Sequence, residues 1–298
     1  MTSAHHPHAP GYRAIRWNAD WITRPLFGLA LAALAIGVLF SAPPYFAALT
    51  VAISIAAAWE WHRIVSKGNA FRAEVANNAL SVAVAVIVLL ATRHTWIALI
   101  VLAGGAGVAW KLARGGVHPF WQAGGVLYLG LPTLALISLR AFVPGVVAIP
   151  ALGLTEPRGA LVIVGMFLIV WATDTGALIF GNLIGGPRMA PVLSPSKTWA
   201  GTIGGSVTAS LVFAAYTWFL GGAAGIAALF ALFFSLAAHG GDLFESFVKR
   251  RFGIKDSGSL IPGHGGVLDR MDSTMGASAV LALLVFVGGL NPLFGVPG

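Results

Sequence analysis

The chain has 298 residues, of which 57% are hydrophobic and only 9% are charged, whereas roughly a quarter of the residues in a soluble domain carry charge. This composition, with a mean hydropathy of +0.85, excludes an ordinary soluble domain and indicates an integral membrane protein. The absence of cysteine excludes disulfides and thiolate sites, and the +8 net charge does not indicate nucleic acid, because Lys and Arg lie in short loops rather than along one stripe.

Residues 1–24 are predicted to form a cytoplasmic tail with an interfacial segment, and residues 25–298 a single polytopic membrane domain. The tail contains His5, His6 and His8 beside prolines, which favours a solvated, disordered stretch over metal binding. Apolar runs that suit spanning helices of about 20 residues recur through the remainder. These runs cover residues 25–41, 44–61, 76–92, 95–111, 123–139, 159–181, 200–220, 222–239 and 274–290.

The predicted fold class is therefore all-α, a polytopic integral membrane protein with about nine transmembrane helices. The apolar segment 142–158 is interrupted by three prolines, so we expect an external loop or a re-entrant piece there. With nine spans, 15 of the 18 Lys and Arg residues fall on the N-terminal side of the membrane, and only Arg93, Arg140 and Arg158 fall opposite. The positive-inside rule thus predicts a cytoplasmic N-terminus in a multi-pass protein of the inner membrane.

Asp174 lies within an otherwise apolar run, where a charge costs at least about 2.5 to 3.5 kcal/mol. Such a carboxylate needs a partner or a polar cavity. The alternative is that the span ends near Thr173 and leaves Asp174 at the interface, because Gly176 and Gly181 would suit a loop. The sequence leaves both interpretations open.

Half of the ten acidic residues lie in residues 240–272, together with a basic cluster and a glycine-rich turn. Asp242 and Glu245 are three apart and Lys249 is four further on, so a continuous helix would place them on one face. A surface Glu–Lys pair with Asp242 at a helix start would give the same pattern. Carboxylates, basic side chains and glycines together are the groups that hold metal ions and phosphates.

Asp269 and Asp272 are also three apart and precede the last apolar run. Helix capping explains Asp272 well, since Asp272, Ser273 and Thr274 are all credible N-caps, but it explains Asp269 less well, because Asp269 would lie outside the helix. Mg²⁺ prefers a few carboxylates completed by water and substrate phosphates. Aspartates that converge from different segments would suit such an ion.

Two further segments have both a structural and a functional interpretation. Residues 262–266 form a turn whose glycines would let backbone N–H groups cradle an anion, with His264 as a phosphate donor or an acid or base; a turn with a lone histidine is the plain alternative. Lys197 precedes the seventh predicted span, where a lysine is usually a snorkelling anchor. Ser, Lys and Thr clustered at a helix start also favour a phosphate contact.

Taken together, these residues closely resemble the phosphatidate cytidylyltransferase (CDP-diacylglycerol synthase) family. The C-terminal signature of that family matches in spacing at Ser246, Lys249, Arg250, Lys255 to Gly258, Leu260 to Gly266 and Leu268 to Asp272. Further matching blocks are residues 174–181, residues 190–199 and residues 57–61, so the similarity covers most of the chain. The chain departs from the family pattern at Asn182, Gly186 and Ala200, although Arg188 keeps one basic residue.

The resemblance implies that residues 159–290 transfer a cytidylyl group from CTP to phosphatidic acid at the cytoplasmic face of the bilayer. It implies Asp242 and Asp269 as leading Mg²⁺ ligands, with Asp174 and Asp272 as further ligands or as residues that support the ligands. A second metal or a monovalent cation stays open, and so does a homodimer. The implied catalytic residues are Asp242, Asp269, Lys249, Lys197 and His264. The implied substrate contacts are Ser194, Lys197, Thr198, Arg188, Ser246, Lys249, Arg250, Lys255, Asp256, Gly263, Gly265, Gly266 and Arg270.

Two alternatives remain at this stage. One is a CTP-dependent lipid nucleotidyltransferase or kinase with a different acceptor. The other is a transporter that binds an ion or anionic solute at Asp174 between glycine-broken helices. A requirement for CTP and Mg²⁺ would separate the enzyme from the transporter.

Overall fold

The computed structural model describes residues 30, 32–66, 72–113, 118–149, 152–258, 260 and 265–283, and these residues are mostly helical. The predicted tail over residues 1–24 lies outside them. In chain order the helices are α1 (residues 32–40), α2 (Pro43–Val65), α3 (Arg72–Thr92), α4 (Thr95–Leu112), α5 (Pro119–Phe142), α6 (Arg158–Leu183), α7 (Trp199–Phe219), α8 (Ala224–Arg251) and α9 (Leu268–Leu283).

Within the described residues, five helices are long and apolar enough to cross a membrane, which identifies a multi-pass membrane protein. These candidate spans are Ala73–Thr92, Thr95–Leu112, Pro119–Phe142, Arg158–Leu183 and Ala224–Arg251. Each apolar run of the sequence coincides with a helix over the part that is described. The total of about nine spans and the orientation of the N-terminus stay predictions.

The eighth helix is much longer than its apolar run. The run 222–239 predicts a span of ordinary length, but α8 continues as one helix through Gly240 and Gly241 to Arg251. Its last turn carries Lys249, Arg250 and Arg251, whose positive charges complement the negative end of the helix dipole. The helix thus continues beyond its apolar part into a polar segment.

Two short antiparallel hairpins depart from the all-α prediction. β1 (Val146–Ile149) pairs with β2 (Leu154–Pro157) directly before α6, where the sequence predicted an external loop or a re-entrant piece. β3 (Arg188–Ala190) pairs with β4 (Ser194–Thr198) directly after α6. The prolines of the first hairpin prevent a helix there, and strand pairing satisfies backbone groups that a helix would otherwise satisfy.

The helices pack as two groups that meet along α5. Leu89, Leu102 and Leu134 belong to the core of α3, α4 and α5, whereas Ile163 and Phe234 belong to the core between α6 and its neighbours α7, α8 and α9. Helix α5 also contacts α2, α6 and α9, and so joins the two groups. This packing places the C-terminal half of the chain around one polar region.

We expect the two hairpins to lie on opposite sides of the membrane, because α6 separates them and its 26 residues extend about 39 Å. The chain has no cysteine, so Leu152→Cys in the first hairpin and Val192→Cys in the second each give a single labelling position. An impermeant maleimide should label one variant in right-side-out vesicles and the other in inverted vesicles. Labelling of both variants from the same side would contradict the topology.

Candidate active site

One polar cluster joins α6, β4, α8 and α9. Lys197 on β4 forms an ion pair with Asp242 on α8. On the other side of the cluster, the Ser273 hydroxyl on α9 donates a hydrogen bond of 3.4 Å to Oδ1 of Asp174 on α6. The structure therefore brings Asp174 and Lys197 to the acidic segment from two separate parts of the chain.

Asp174 belongs to the interior of α6, which continues for nine residues beyond it to Leu183. A loop does not begin at Gly176 or Gly181, so the glycines do not end the helix beside Asp174. The Asp174 side chain lines a cavity of about 260 Å³. The Asp174 carboxylate therefore has a hydrogen-bond donor and also faces a polar cavity, and either would compensate for a charge in a span.

A second ion pair lies between α8 and α9. Lys249 Nζ is 2.7 Å from Oδ1 of Asp269 and 3.2 Å from Oε1 of Glu245, and Glu245 lies one turn before Lys249 on α8. The Glu245 side chain is only 2% exposed and that of Lys249 14%, so this is not the surface pair that the sequence left open. The partly buried Lys249 ammonium lies between carboxyl groups of two helices.

Asp269 is also held by the backbone of the signature segment. Its Oδ2 accepts hydrogen bonds from Ser257 N at 3.0 Å and from Gly266 N at 3.2 Å. Burial alone would raise the pKa of Asp269, but the hydrogen bond and charge of Lys249, followed by the hydrogen bonding of Ser257, outweigh it and lower the pKa to about 2. Asp269 is therefore an ionised carboxylate in a fixed orientation.

Asp272 lies between the two ion pairs. Helix α9 begins at Leu268, so Asp272 lies in the helix instead of capping it, and Asp269 belongs to the first turn instead of preceding the helix. Burial and then the carboxylates of Asp242 and Asp174 raise the pKa of Asp272 to about 7, against the opposing charge of Lys249. Three carboxylates thus repel one another at the meeting of α6, α8 and α9.

Glycines allow α8 and α9 to approach closely at this point. A Cβ on Gly241 would collide with the carbonyl oxygen of Asp272 and would lie 2.9 Å from the Cα of Gly276. A Cβ on Gly276 would in turn lie 2.9 Å from the Cα of Gly241. Any larger residue at either position would therefore separate Asp242 from Asp272.

The cavity opens between α6, β4, α7 and α8. Its lining residues are Asp174, Ala177, Leu178, Gly181, Asn182, Ser196, Lys197, Thr198, Gly201, Thr202, His239 and Asp242. The Thr198 side chain accepts a 3.1 Å hydrogen bond from Gly201 N and so caps α7. Thr198 therefore has a structural role beside its predicted contact with substrate.

His239 is a lining residue that the sequence analysis missed. It precedes Asp242 by three residues on α8, and its buried Nε2 has no hydrogen-bond partner among the residues that the structure describes. The spacing was the available signal, since residues three apart share a helix face. The sequence alone does not show that α8 continues through Gly240 and Gly241, so it does not place His239 on the same helix face as Asp242.

The other predicted substrate contacts lie around this cluster. Arg250 donates to Leu193 O at 3.4 Å and to Ile254 O at 3.2 Å, and Arg188 donates to Ser196 O at 3.2 Å, so both arginines contact the β3–β4 region. The exposed predicted contacts are Lys255, Asp256 and Arg270, and the partly buried ones are Ser194, Ser246 and Gly265. Gly263 and His264 lie outside the described residues.

The predicted magnesium ligands fall into two sets. The carboxylates of Asp242 and Asp174 lie near enough to Asp272 to raise its pKa, whereas Asp269 is held by Lys249. Among the described residues, no three Asp, Glu or His side chains stand in an arrangement that would hold a metal ion. The metal assignment stays a prediction.

The fold and this site define a multi-pass membrane protein with a pocket of paired acidic and basic groups between its helices. The family model described as "Cytidylyltransferase family" matches residues 22–287. The chain is 34% identical over 273 residues to the phosphatidate cytidylyltransferase of Brucella suis, which covers 88% of this chain and 92% of that protein. It is 44% identical over 133 residues to that of Staphylococcus aureus, which covers 44% of this chain and 51% of that protein.

The chain belongs to the cytidylyltransferase family. The family match over residues 22–287 includes α2 as well as the polar cluster. The match to the Staphylococcus protein covers less of the chain at a higher identity. The resemblance that the motifs indicated is confirmed.

Replacement of Lys249 by methionine should destabilise the protein, because it leaves Glu245 and Asp269 close together without their shared cation. Removal of one partner of a buried ion pair costs about 3 to 5 kcal/mol. We expect Lys249→Met to lower the midpoint of thermal unfolding in detergent well below that of the wild type. Arg251→Met is the matched control, since Arg251 is exposed on the same helix end. Equal midpoints for the two variants would show that the buried pair does not stabilise this site.

Proposed function

We propose that the protein transfers a cytidylyl group from CTP to phosphatidic acid and so forms CDP-diacylglycerol and pyrophosphate. The observation that carries the proposal is the meeting of Lys197, Asp242 and Asp174 at one cavity, beside the Lys249–Asp269 pair. Membership of the cytidylyltransferase family and the names of the relatives support this reaction over a kinase or a transporter.

The reaction asks little of a general base. An oxygen of the lipid phosphate is already an anion; it attacks the α-phosphorus of CTP, the bond from that phosphorus to the bridging oxygen breaks, and pyrophosphate leaves with the electron pair. The difficulty is to bring two polyanions together and to stabilise the negative charge that develops on the departing group. Lys197 and Lys249 supply fixed positive charge for this purpose, and Arg250 and Lys255 add positive charge at the rim of the site.

The acidic residues would hold Mg²⁺, which supplies charge neutralisation at the phosphates when it is bound. Asp242 and Asp269 are proposed as the leading ligands, with Asp174 and Asp272 as further candidates, and water and substrate phosphates would complete the coordination. Asp242 and Asp269 each contact a lysine, so each carboxylate also orients an ammonium group toward the place where phosphates would lie. Both signs of charge are needed, because the substrates are anions and the metal is a cation.

The proposed orientation places this site at the cytoplasmic surface of the inner membrane. Most of the Lys and Arg residues lie in loops on the same side as Lys197 and the C-terminal end of α8. The acyl chains of the lipid can then stay in the bilayer while its headgroup meets CTP from the cytoplasm. The hairpin that contains Val192 is accordingly expected to be labelled from the cytoplasmic side.

Purified protein in detergent should release pyrophosphate from CTP only when phosphatidic acid and Mg²⁺ are both present, and a lipid product should carry the cytidylyl group. EDTA should abolish the reaction and excess Mg²⁺ should restore it. Asp269→Asn should lower kcat by about 100-fold or more, because it removes a charge that acts in the transition state.

The matched control is Glu156→Gln, an equivalent loss of one carboxylate on β2 in the hairpin before α6. Helix α6 places Asp174 about 24 Å from the start of that helix, so Glu156→Gln should keep the activity of the wild type. A folded wild type that makes no CDP-lipid would refute the proposed reaction. Full activity of Asp269→Asn would refute the role given to Asp269.

A further inference from the structure

Glu60, on α2, is a buried carboxylate outside the site described so far. Its side chain is 1% exposed, although it is one of only ten acidic residues in the chain. Its Oε2 accepts a hydrogen bond of 2.9 Å from Leu268 N and one of 3.1 Å from the Ser257 hydroxyl. Glu60 thus connects the N-terminal group of helices with both ends of the segment that precedes α9.

Two glycines of that segment lie directly against the Glu60 carboxylate. A Cβ on Gly258 would collide with Oε1 of Glu60, and a Cβ on Gly266 would lie 2.7 Å from Oε2. The glycines therefore leave the space that the carboxylate occupies. This fit is specific to a side chain of the length of glutamate, because the bonded oxygen must reach Ser257 and Leu268 at once.

The residues that Glu60 holds are the ones that hold Asp269. Ser257 donates its hydroxyl to Glu60 and its backbone N–H to Asp269. Gly266 lies against Glu60 and donates its N–H to Asp269, and Leu268 N, bonded to Glu60, adjoins Asp269 in the first turn of α9. The position of the Asp269 carboxylate therefore depends on Glu60 through three backbone positions.

Packing alone does not account for an acidic residue here. Burial of a carboxylate costs free energy, and Oε1 of Glu60 has no hydrogen-bond partner among the residues that the structure describes. The N-terminal end of α9 and the two donors offset that cost in part. The carboxylate is therefore tied to its polar contacts with Ser257 and Leu268, which an apolar residue of similar size would not supply.

We propose that Glu60 is a positioning residue for catalysis, which acts from α2 by fixing Ser257, Gly266 and Leu268 and so orienting Asp269. It does not line the cavity, and its effect passes through Ser257, Gly266 and Leu268. The expected change in kcat rests on the proposed function. The hydrogen bonds from Ser257 and Leu268 to Glu60 do not, because they form in the protein without substrate.

The test compares Glu60→Ala, Glu60→Gln and Ser257→Ala with the wild type, and Glu156→Gln serves again as control. We expect Glu60→Ala to lower kcat about 10- to 100-fold while KM for CTP changes less than about threefold, because misplaced catalytic groups affect the transition state more than ground-state binding. Glu60→Gln keeps one acceptor oxygen and should recover much of the loss.

Hydrogen–deuterium exchange supplies a readout that does not need activity. In Glu60→Ala, the amides of peptides covering residues 255–270 should exchange faster, whereas peptides from α6 should exchange as in the wild type. Faster exchange in every helix would instead show a general loss of stability and would overturn the proposal. Unchanged exchange over residues 255–270 would overturn it as well.

Ser257→Ala keeps the test decisive if Glu60→Ala does not fold. It removes the hydroxyl bonded to Glu60 but keeps the backbone N–H bonded to Asp269, so it should lower kcat and speed exchange over residues 255–270 in the same direction as Glu60→Ala. A Ser257→Ala variant with the kcat and the exchange of the wild type would overturn the proposal. A wild type without cytidylyltransferase activity would refute the proposed function alone, since the exchange measurement would still decide whether Glu60 fixes the segment.

Discussion

The site depends on the pairing of opposite charges inside an apolar bundle. Charged groups at the ends of membrane helices are stable only when another charge, a hydrogen bond or a polar cavity compensates for the lost water. Lys197 with Asp242 and Lys249 with Asp269 meet this condition, and each pair joins two different elements of the fold. The pairs therefore stabilise the packing of these elements and, at the same time, concentrate the charges that phosphates and a metal ion require.

This arrangement extends across the whole chain. Gly241 and Gly276 let α8 and α9 approach until Asp242 and Asp272 influence each other, and Glu60 on α2 fixes the segment that orients Asp269. One N-terminal helix thus contacts the segment that holds Asp269, in addition to its packing against the other helices.

Much of the helical architecture could be predicted from the sequence, since every apolar run coincides with a helix over its described part. The hairpins could not, because strands of three to five residues, two of them with a proline, leave no periodic signal. The start of α9 was also missed: Asp272, Ser273 and Thr274 all suit a cap, and only the fold shows that the helix begins earlier, at Leu268. Spacing identified the acidic residues, but their lysine partners and the neighbourhood of Glu60 arise from contacts between distant segments, which spacing does not report.

A structure of the protein with bound CTP would test the central claim most directly. The account predicts that the phosphates of CTP lie in the cavity bounded by α6, β4, α7 and α8, with the Lys197 ammonium in contact with a phosphate oxygen and with Asp242, Asp174 and Asp272 around the phosphates. CTP bound at a different surface, with Lys197 away from every phosphate, would contradict the account.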